Sequence, residues 1–161
     1  MHRGSMHLIL LALLLGCSRK PPYEGRSVAE LERMLDDPNS TVQVQGAFGL
    51  GKHGEEARPA IPALIRALQS SNALVRQQSA MALGQIGTVE EGVVPALTAA
   101  LHDPEWTVRR QATVALGQIG PLARSAEAEL RHCQSDPHTL VRKAAKEALD
   151  KIKERPTRAG R

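Results

Sequence analysis

Aromatic side chains are nearly absent from this chain of 161 residues: Tyr23, Phe48 and Trp106 are the only three. Runs of β-branched residues are few as well, and the two shortages together argue against a sandwich or barrel, whose pleated surfaces such residues fill. Cysteine occurs only at Cys17 and Cys133, too seldom for a disulfide framework. The apolar run Leu8 to Leu15 has eight residues, far short of the ~20 that a membrane-crossing helix needs. What the chain has in quantity is Ala (22) and Leu (20), the residues most easily placed in helices. The length suits one domain of close-packed helices.

Positive charge is lacking where a nucleic-acid reader would carry it. The formal net charge is +4, yet Glu24 to Asp150 holds 13 Lys/Arg against 16 Asp/Glu, a net of −3. The excess lies at the ends, in Arg3, Arg19 and Lys20 and in Lys151, Lys153, Arg155, Arg158 and Arg161. A basic stripe on the folded surface, the footprint of nucleic-acid binding, is missing. Catalytic signatures are missing too: there is no nucleophile elbow, P-loop, dinucleotide fingerprint or pair of catalytic carboxylates. His53, His102, His132 and His138 have no HExxH, cysteine pair or carboxylate triad at metal-ligand spacing beside them. Neither a metal nor another cofactor is expected, and the chain is expected not to be an enzyme.

The start of the chain reads as an address. Leu8 to Leu15 matches the apolar core of a secretory signal, preceded by a short segment carrying Arg3. The following Leu14-Leu15-Gly16-Cys17 resembles the bacterial lipobox. That resemblance implies a signal peptide over 1–16, a diacylglyceryl thioether on the Cys17 sulfur, and cleavage that leaves Cys17 as the new N-terminus. A plain secretory signal is the alternative, and translation from Met6 would remove Arg3. Ser18 to Arg26, with two prolines, a glycine and three basic residues, completes a tether over 17–26 that reaches about 30 Å when extended. Its basic residues favour an anionic headgroup surface, and two or more acyl chains anchor firmly. The implied location is a bacterial membrane, facing the periplasm. Ser18 after the cysteine favours the outer over the inner membrane under the enterobacterial sorting habit.

The remainder repeats every 33 residues. Leu50, Leu83, Leu116 and Leu149 form one column, and Val42, Val75, Val108 and Val141 another. Gly51, Gly84 and Gly117, then Gly54, Gly87 and Gly120, then Leu64, Leu97 and Leu130 keep the same step. A fixed period of this kind marks a solenoid. Each unit reads as two helices. Val75, Ser79, Ala82, Leu83 and Ile86 share one helical face, Gly87 supplies a left-handed stop, and Val94, Leu97, Thr98 and Leu101 form a second, shorter helix with Pro95 in its first turn. Val28 to Leu35 reads as a lone helix covering the first unit. Thr139 to about Glu154 reads as a lone final helix whose Lys143, Lys146, Glu147, Asp150, Lys151 and Lys153 face solvent, as the end of a solenoid requires. A basic tail, 155–161, follows.

Asp103-Pro104, Val108-Arg109, Ala115-Leu116-Gly117 and Ile119-Gly120 together resemble the HEAT repeat, and more narrowly the short HEAT-like repeats of phycobilin lyases. Val75-Arg76 through Gly87, and Asp136-Pro137 with Val141-Arg142, repeat the pattern. The resemblance spans about 27–153 and implies a right-handed all-α solenoid of about three and a half helical hairpins, without strands, over 27–154. It also implies that Arg76, Asp103, Arg109, Asp136 and Arg142 form a polar ladder between adjacent units, weakened in the first unit where Gln43 replaces the arginine. In such stacks the second helices line the concave face, which makes Arg66, Gln69, Ala99, His102, Glu129, Arg131 and His132 candidate residues of a protein-binding groove. Trp106 shares its column with Ser40, Ala73 and Thr139. Nothing in the repeat requires it, so it is a candidate interface hot spot against a loop-packing role. Cys133 shares its column with Ala67 and Ala100 and reads as a buried, inert thiol.

The function these features imply is a membrane-anchored, non-catalytic scaffold, monomeric, that binds an unnamed protein partner at the bacterial cell envelope. Two alternatives remain: a bilin lyase or isomerase, from the repeat subtype, and a HEAT-like nucleic-acid binder, which the charge distribution disfavours.

Overall fold

The computed structural model describes residues 21–87 and 90–154. The expected signal peptide, Cys17 and the basic tail lie outside them. Short and long helices alternate: α1 (Val28–Met34), α2 (Ser40–His53), α3 (Ile61–Ala67), α4 (Ala73–Ile86), α5 (Val93–Ala99), α6 (Trp106–Ile119), α7 (Glu127–Cys133) and α8 (Thr139–Lys153). No strand occurs among the described residues. The chain is an all-α solenoid in which each long helix packs on the next and each short helix packs on the long one that follows.

The 33-residue columns are the core. Leu50, Leu83, Leu116 and Leu149 are at most 3% exposed. Leu64, Leu97 and Leu130 are fully buried, and so is Leu31, which lies 33 residues before Leu64. The helix expected as a separate cover is therefore the short helix of the first pair. It starts with a capping box, in which the Ser27 hydroxyl accepts from the Glu30 N–H while the Glu30 carboxylate accepts from the Ser27 N–H.

The glycine columns do two different jobs. Gly51, Gly84 and Gly117 are helical and buried, and a Cβ on them would meet the Cα of Ala82, Ala115 and Ala148 at 3.2, 2.7 and 2.9 Å. The long helices cross there at a separation that admits no side chain. In the last pair the same column holds Asp150, which is exposed, with no helix of the described residues packed on it. Gly54, Gly87 and Gly120 have φ of 55°, 68° and 67° and end their helices. Gly87 takes the expected left-handed stop with its N–H on the Leu83 carbonyl, whereas Gly54 and Gly120 lead into 3-10 turns, Gly54–Ala60 and Gly120–Ala126.

One expectation changes. The proposed tether is ordered from Pro21 onward, as a turn tied by the Glu24 N–H to the Pro21 carbonyl. Tyr23 meets Phe48 edge to face, with centroids 4.9 Å apart. Its Cβ also lies 2.9 Å from where a Cβ on Gly49 would be. Gly49 stands in the column of Ala82, Ala115 and Ala148, so Tyr23 covers the surface on which a preceding long helix would pack. His53 fixes the turn, with Nε2 3.1 Å from the Arg26 carbonyl.

Leu83→Ala and Leu116→Ala are each expected to lower stability by about 2–5 kcal/mol, as truncations of fully buried leucines do. Gly84→Ala is expected to lower it by about 1–3 kcal/mol through overpacking, although alanine is the better helix former. Denaturant melts check both, and a neutral Gly84→Ala would refute the close crossing.

Candidate functional site

Each loop that leads from a short helix into a long one is shaped by a side chain at the same position of the repeat. Asp37, Ser70, Asp103 and Asp136 accept from the N–H two residues on, at 2.8, 3.2, 2.9 and 2.7 Å. These turns present the carboxylates towards the preceding unit. Arg76 holds Asp103 with two parallel bonds, Nε to Oδ2 at 2.7 Å and Nη2 to Oδ1 at 2.9 Å. Arg109 holds Asp136 in the same way at 2.7 and 3.0 Å. The remaining Nη1 donates to loop carbonyls of the arginine's own unit, Ser70 and Ser71 for Arg76, Asp103 and Pro104 for Arg109. Each guanidinium thus fixes its own loop and clamps the next.

Both pairs are largely buried, with side-chain exposures of 12% and 9% for Arg76 and Asp103 and of 16% and 7% for Arg109 and Asp136. Burial alone would raise the Asp103 pKa, but the Arg76 hydrogen bond and the Glu105 N–H outweigh it and hold the carboxyl below its usual range. For Asp136 the Arg109 hydrogen bond dominates and lowers the pKa against burial. In the first unit Gln43 donates to the Asp37 carbonyl at 2.7 Å, the arginine's loop contact without its charge. The next unit offers Ser70 in place of an aspartate, so arginine and carboxylate are replaced together on that rung. Arg142 makes the loop contacts, to the Asp136 and Pro137 carbonyls at 2.8 and 3.0 Å, and among the described residues no carboxylate clamps it.

Three open crevices of about 220, 340 and 320 Å³ lie between consecutive loops; Gln43 and Ser70 help line the first, Arg76 and Asp103 the second, and Asp103, Arg109 and Asp136 the third. Arg66 and Gln69 line the first, Gln69, Ala99 and His102 the second, and His102 and His132 the third. These five side chains are exposed. Glu129 joins them through His102, whose Nε2 lies 3.1 Å from its carboxylate. Arg131 lines none of the three and pairs instead with Glu127 at 2.7 Å, a contact its i,i+4 spacing foretells. Arg33, one period before Arg66 and also exposed, belongs to the same column and was missed for want of extending the period towards the N-terminus.

Trp106 is half-buried and stacks on His138 of the next unit, centroids 3.7 Å apart and planes within 5°. The His138 Nδ1 accepts from the Leu140 N–H at 3.3 Å and caps α8. Trp106 therefore ties two loops together, with one ring face covered. Cys133 is 5% exposed, and burial, reinforced by the carboxylates of Asp136 and Glu129, pushes its thiol up to about 11. It is a poor nucleophile at neutral pH. Among the described residues no three His, Cys, Asp or Glu side chains come together as a metal cluster would require.

Residues 28–117 and 94–159 match the HEAT-repeat family. The chain belongs to that family. No curated protein matches this HEAT-repeat chain. Among solved structures it is similar to human deoxyhypusine hydroxylase, at 32% identity and a TM-score of 0.64, over 82% of this chain and 45% of that one. It is similar to the phycocyanin lyase complex of CpcE and CpcF from Nostoc sp., at 25% identity and a TM-score of 0.66, over 79% and 53%. A designed armadillo repeat protein in complex with the peptide (KR)4, 18% identical with a TM-score of 0.66 over 78% and 64%, shares the fold. The chain spans about half the length of the hydroxylase and lyase chains.

The lowered pKa values give the ladder a pH dependence of known sign. A carboxyl whose folded pKa lies below its unfolded value of ~3.9 stabilises the fold above that pH and loses the contribution as the pH falls through the folded value. The gap in melting temperature between wild type and Asp136→Asn should be constant near neutrality and close below the ordinary carboxylate range. Arg109→Ala, which strands a buried carboxylate, is expected to lower stability by about 2–5 kcal/mol. Arg66→Ala and His132→Ala are expected to stay within about 0.5 kcal/mol of wild type. A large loss at either would place that side chain in the core.

Proposed function

We propose that this HEAT-repeat chain is a non-catalytic scaffold that binds another protein along its crevice edge and is held to a bacterial membrane by lipid on Cys17. The observation that carries the reading is how the crevices are built. Their strongest ionic groups are locked to each other in the ladder, while Arg66, Gln69, Ala99, His102 and His132 are exposed on rigid helices and loops. Such an edge has directional polar contacts for a partner; Cys133 and Ser135 share the third crevice with His102 and His132, but no side-chain hydrogen bond among the described residues joins either to a histidine, and His102 is turned to Glu129. Open, shallow clefts on a stack of identical units suit an extended partner surface better than an enclosed small molecule.

The membrane half of the proposal rests on the lipobox-like Leu14-Leu15-Gly16-Cys17. The ordered turn at Pro21 sharpens it, because only Ser18, Arg19 and Lys20 separate it from Cys17. The step from Cys17 to Pro21 reaches about 14 Å at full extension. The first pair of helices would then be held against the headgroups instead of swinging on a long tether. Periplasmic exposure, with the outer membrane favoured, follows from the same motif and Ser18.

A second reading, a bilin lyase or isomerase, draws on the similarity to the phycocyanin lyase complex. Its difficulty is the shortage of aromatic surface for a tetrapyrrole: Tyr23 and Phe48 pack on each other and Trp106 on His138. Co-expression with a bilin and an acceptor protein separates the two, since covalent pigment on the acceptor would establish the lyase.

Intact mass and membrane fractionation of wild type and Cys17→Ser, expressed in a bacterial host, test the anchor. Wild type is expected in the membrane fraction, beginning at Cys17 and carrying added acylglyceryl mass, with Cys17→Ser lacking it. A soluble wild-type product that keeps Met1 would overturn the lipoprotein reading.

A further inference from the structure

The ladder is open at both ends, and the two open ends are complementary. At the C-terminal end Arg142 is anchored as Arg76 and Arg109 are, with Nη1 on the Asp136 and Pro137 carbonyls. Its Nη2 donates to the Thr139 hydroxyl at 2.9 Å, where the inner arginines hold a carboxylate. The guanidinium is oriented for an aspartate that no described residue supplies. At the N-terminal end Asp37 has the Asx turn of Asp103 and Asp136, with Oδ1 on the Asn39 N–H at 2.8 Å. No arginine of the described residues clamps it.

The surroundings carry opposite charge. Residues 21–39 hold five carboxylates against two arginines, a net of −3. Helix α8 holds five Lys/Arg against Glu147 and Asp150, a net of +3. The two ends carry the two halves of one rung: Asp37 stands three periods before Asp136, and Arg142 one period after Arg109.

We propose that this chain associates head to tail with a second copy of itself, Arg142 of one copy clamping Asp37 of the next. This replaces the monomer expected from the sequence and stands independently of the partner-binding reading. The contact is confined to the ladder edge. Tyr23 covers the helix-packing surface at the other end of α2, Lys146 stands where inner units have Ala47, Ala80 and Thr113, and Asp150 stands where they have Gly51, Gly84 and Gly117. Close helix packing between copies is thereby excluded, and what remains is an ionic, salt-sensitive contact. It is heterologous, so it leaves a free rung at each end and continues into rows. Copies held on one membrane by Cys17 would meet at raised local concentration.

Sedimentation equilibrium of the full chain in density-matched detergent tests this. At about 20 mM salt, where screening is weak, the mass of wild type should rise with concentration, and it should return to that of one chain at high salt. Asp37→Arg and Arg142→Asp should each weaken association by at least about tenfold, and the two together in one chain should restore it. Asp37→Arg gives up the Asn39 contact but touches neither the Arg76–Asp103 nor the Arg109–Asp136 pair, so its effect, with rescue by the double reversal, stands even if Arg142→Asp disturbs α8. A single-chain mass for wild type at every concentration and salt overturns the proposal. Association that neither reversal alters overturns it too.

Discussion

The closeness of the long helices governs this structure. Gly51, Gly84 and Gly117 bring each long helix against the Cα of an alanine in the next, at separations where a methyl group would collide at Gly84 and Gly117 and be crowded at Gly51. Interiors as dense as this tolerate little change of volume, which accounts for the composition. Ala and Leu fill the units, and the aromatic rings are confined to Tyr23 before α1, Phe48 in α2 and Trp106 at the start of α6. The contact also sets the step from unit to unit, and that step places one aspartate loop within reach of the preceding arginine.

The ladder is a consequence of the same regularity. Because the units superpose, the bidentate geometry at Arg76 and Asp103 recurs at Arg109 and Asp136 almost unchanged. Pairs of this kind fix register more surely than they add stability, since desolvation offsets much of their attraction. They also remove the strongest charges of the crevices from use. What a partner meets is the set of residues that packing and the ladder leave free, and those vary from unit to unit: Arg33, Arg66, Ala99 and His132 in one column, Asp36, Gln69, His102 and Ser135 in another.

Much of this was legible in the sequence, because a repeated fold writes its core several times. The five columns predicted the buried leucines, the buried Val75, Val108 and Val141 and the helix pairs, and the resemblance to HEAT-like repeats implied the arginine–aspartate ladder. Leu31 escaped because the first short helix, among charged neighbours, looked like a cover rather than a member of the series. The task of Gly51, Gly84 and Gly117 could not be read, since their backbone is ordinary helix and the reason for glycine lies on the neighbouring helix. Tyr23 reads as part of a tether because the reason an aromatic packs there, the face of α2 at Gly49, lies in the fold and not in the local pattern. Trp106 and His138 are 32 residues apart, one off the period, so no column joins them. The groove residues were harder still: exposure follows from the pattern, but the Arg131–Glu127 pair shows that a shared face does not ensure a shared site.

If each unit is stabilised mainly by its neighbours, stability must be graded along the stack. Native-state hydrogen exchange measures this directly. The backbone amides of α4 and α6, each clamped between two long helices, should exchange slowest and only with global unfolding, with protection falling towards α1 and α8. Equal protection from α1 to α8, or protection lowest at the centre, would contradict a stack held together by contacts between neighbouring long helices.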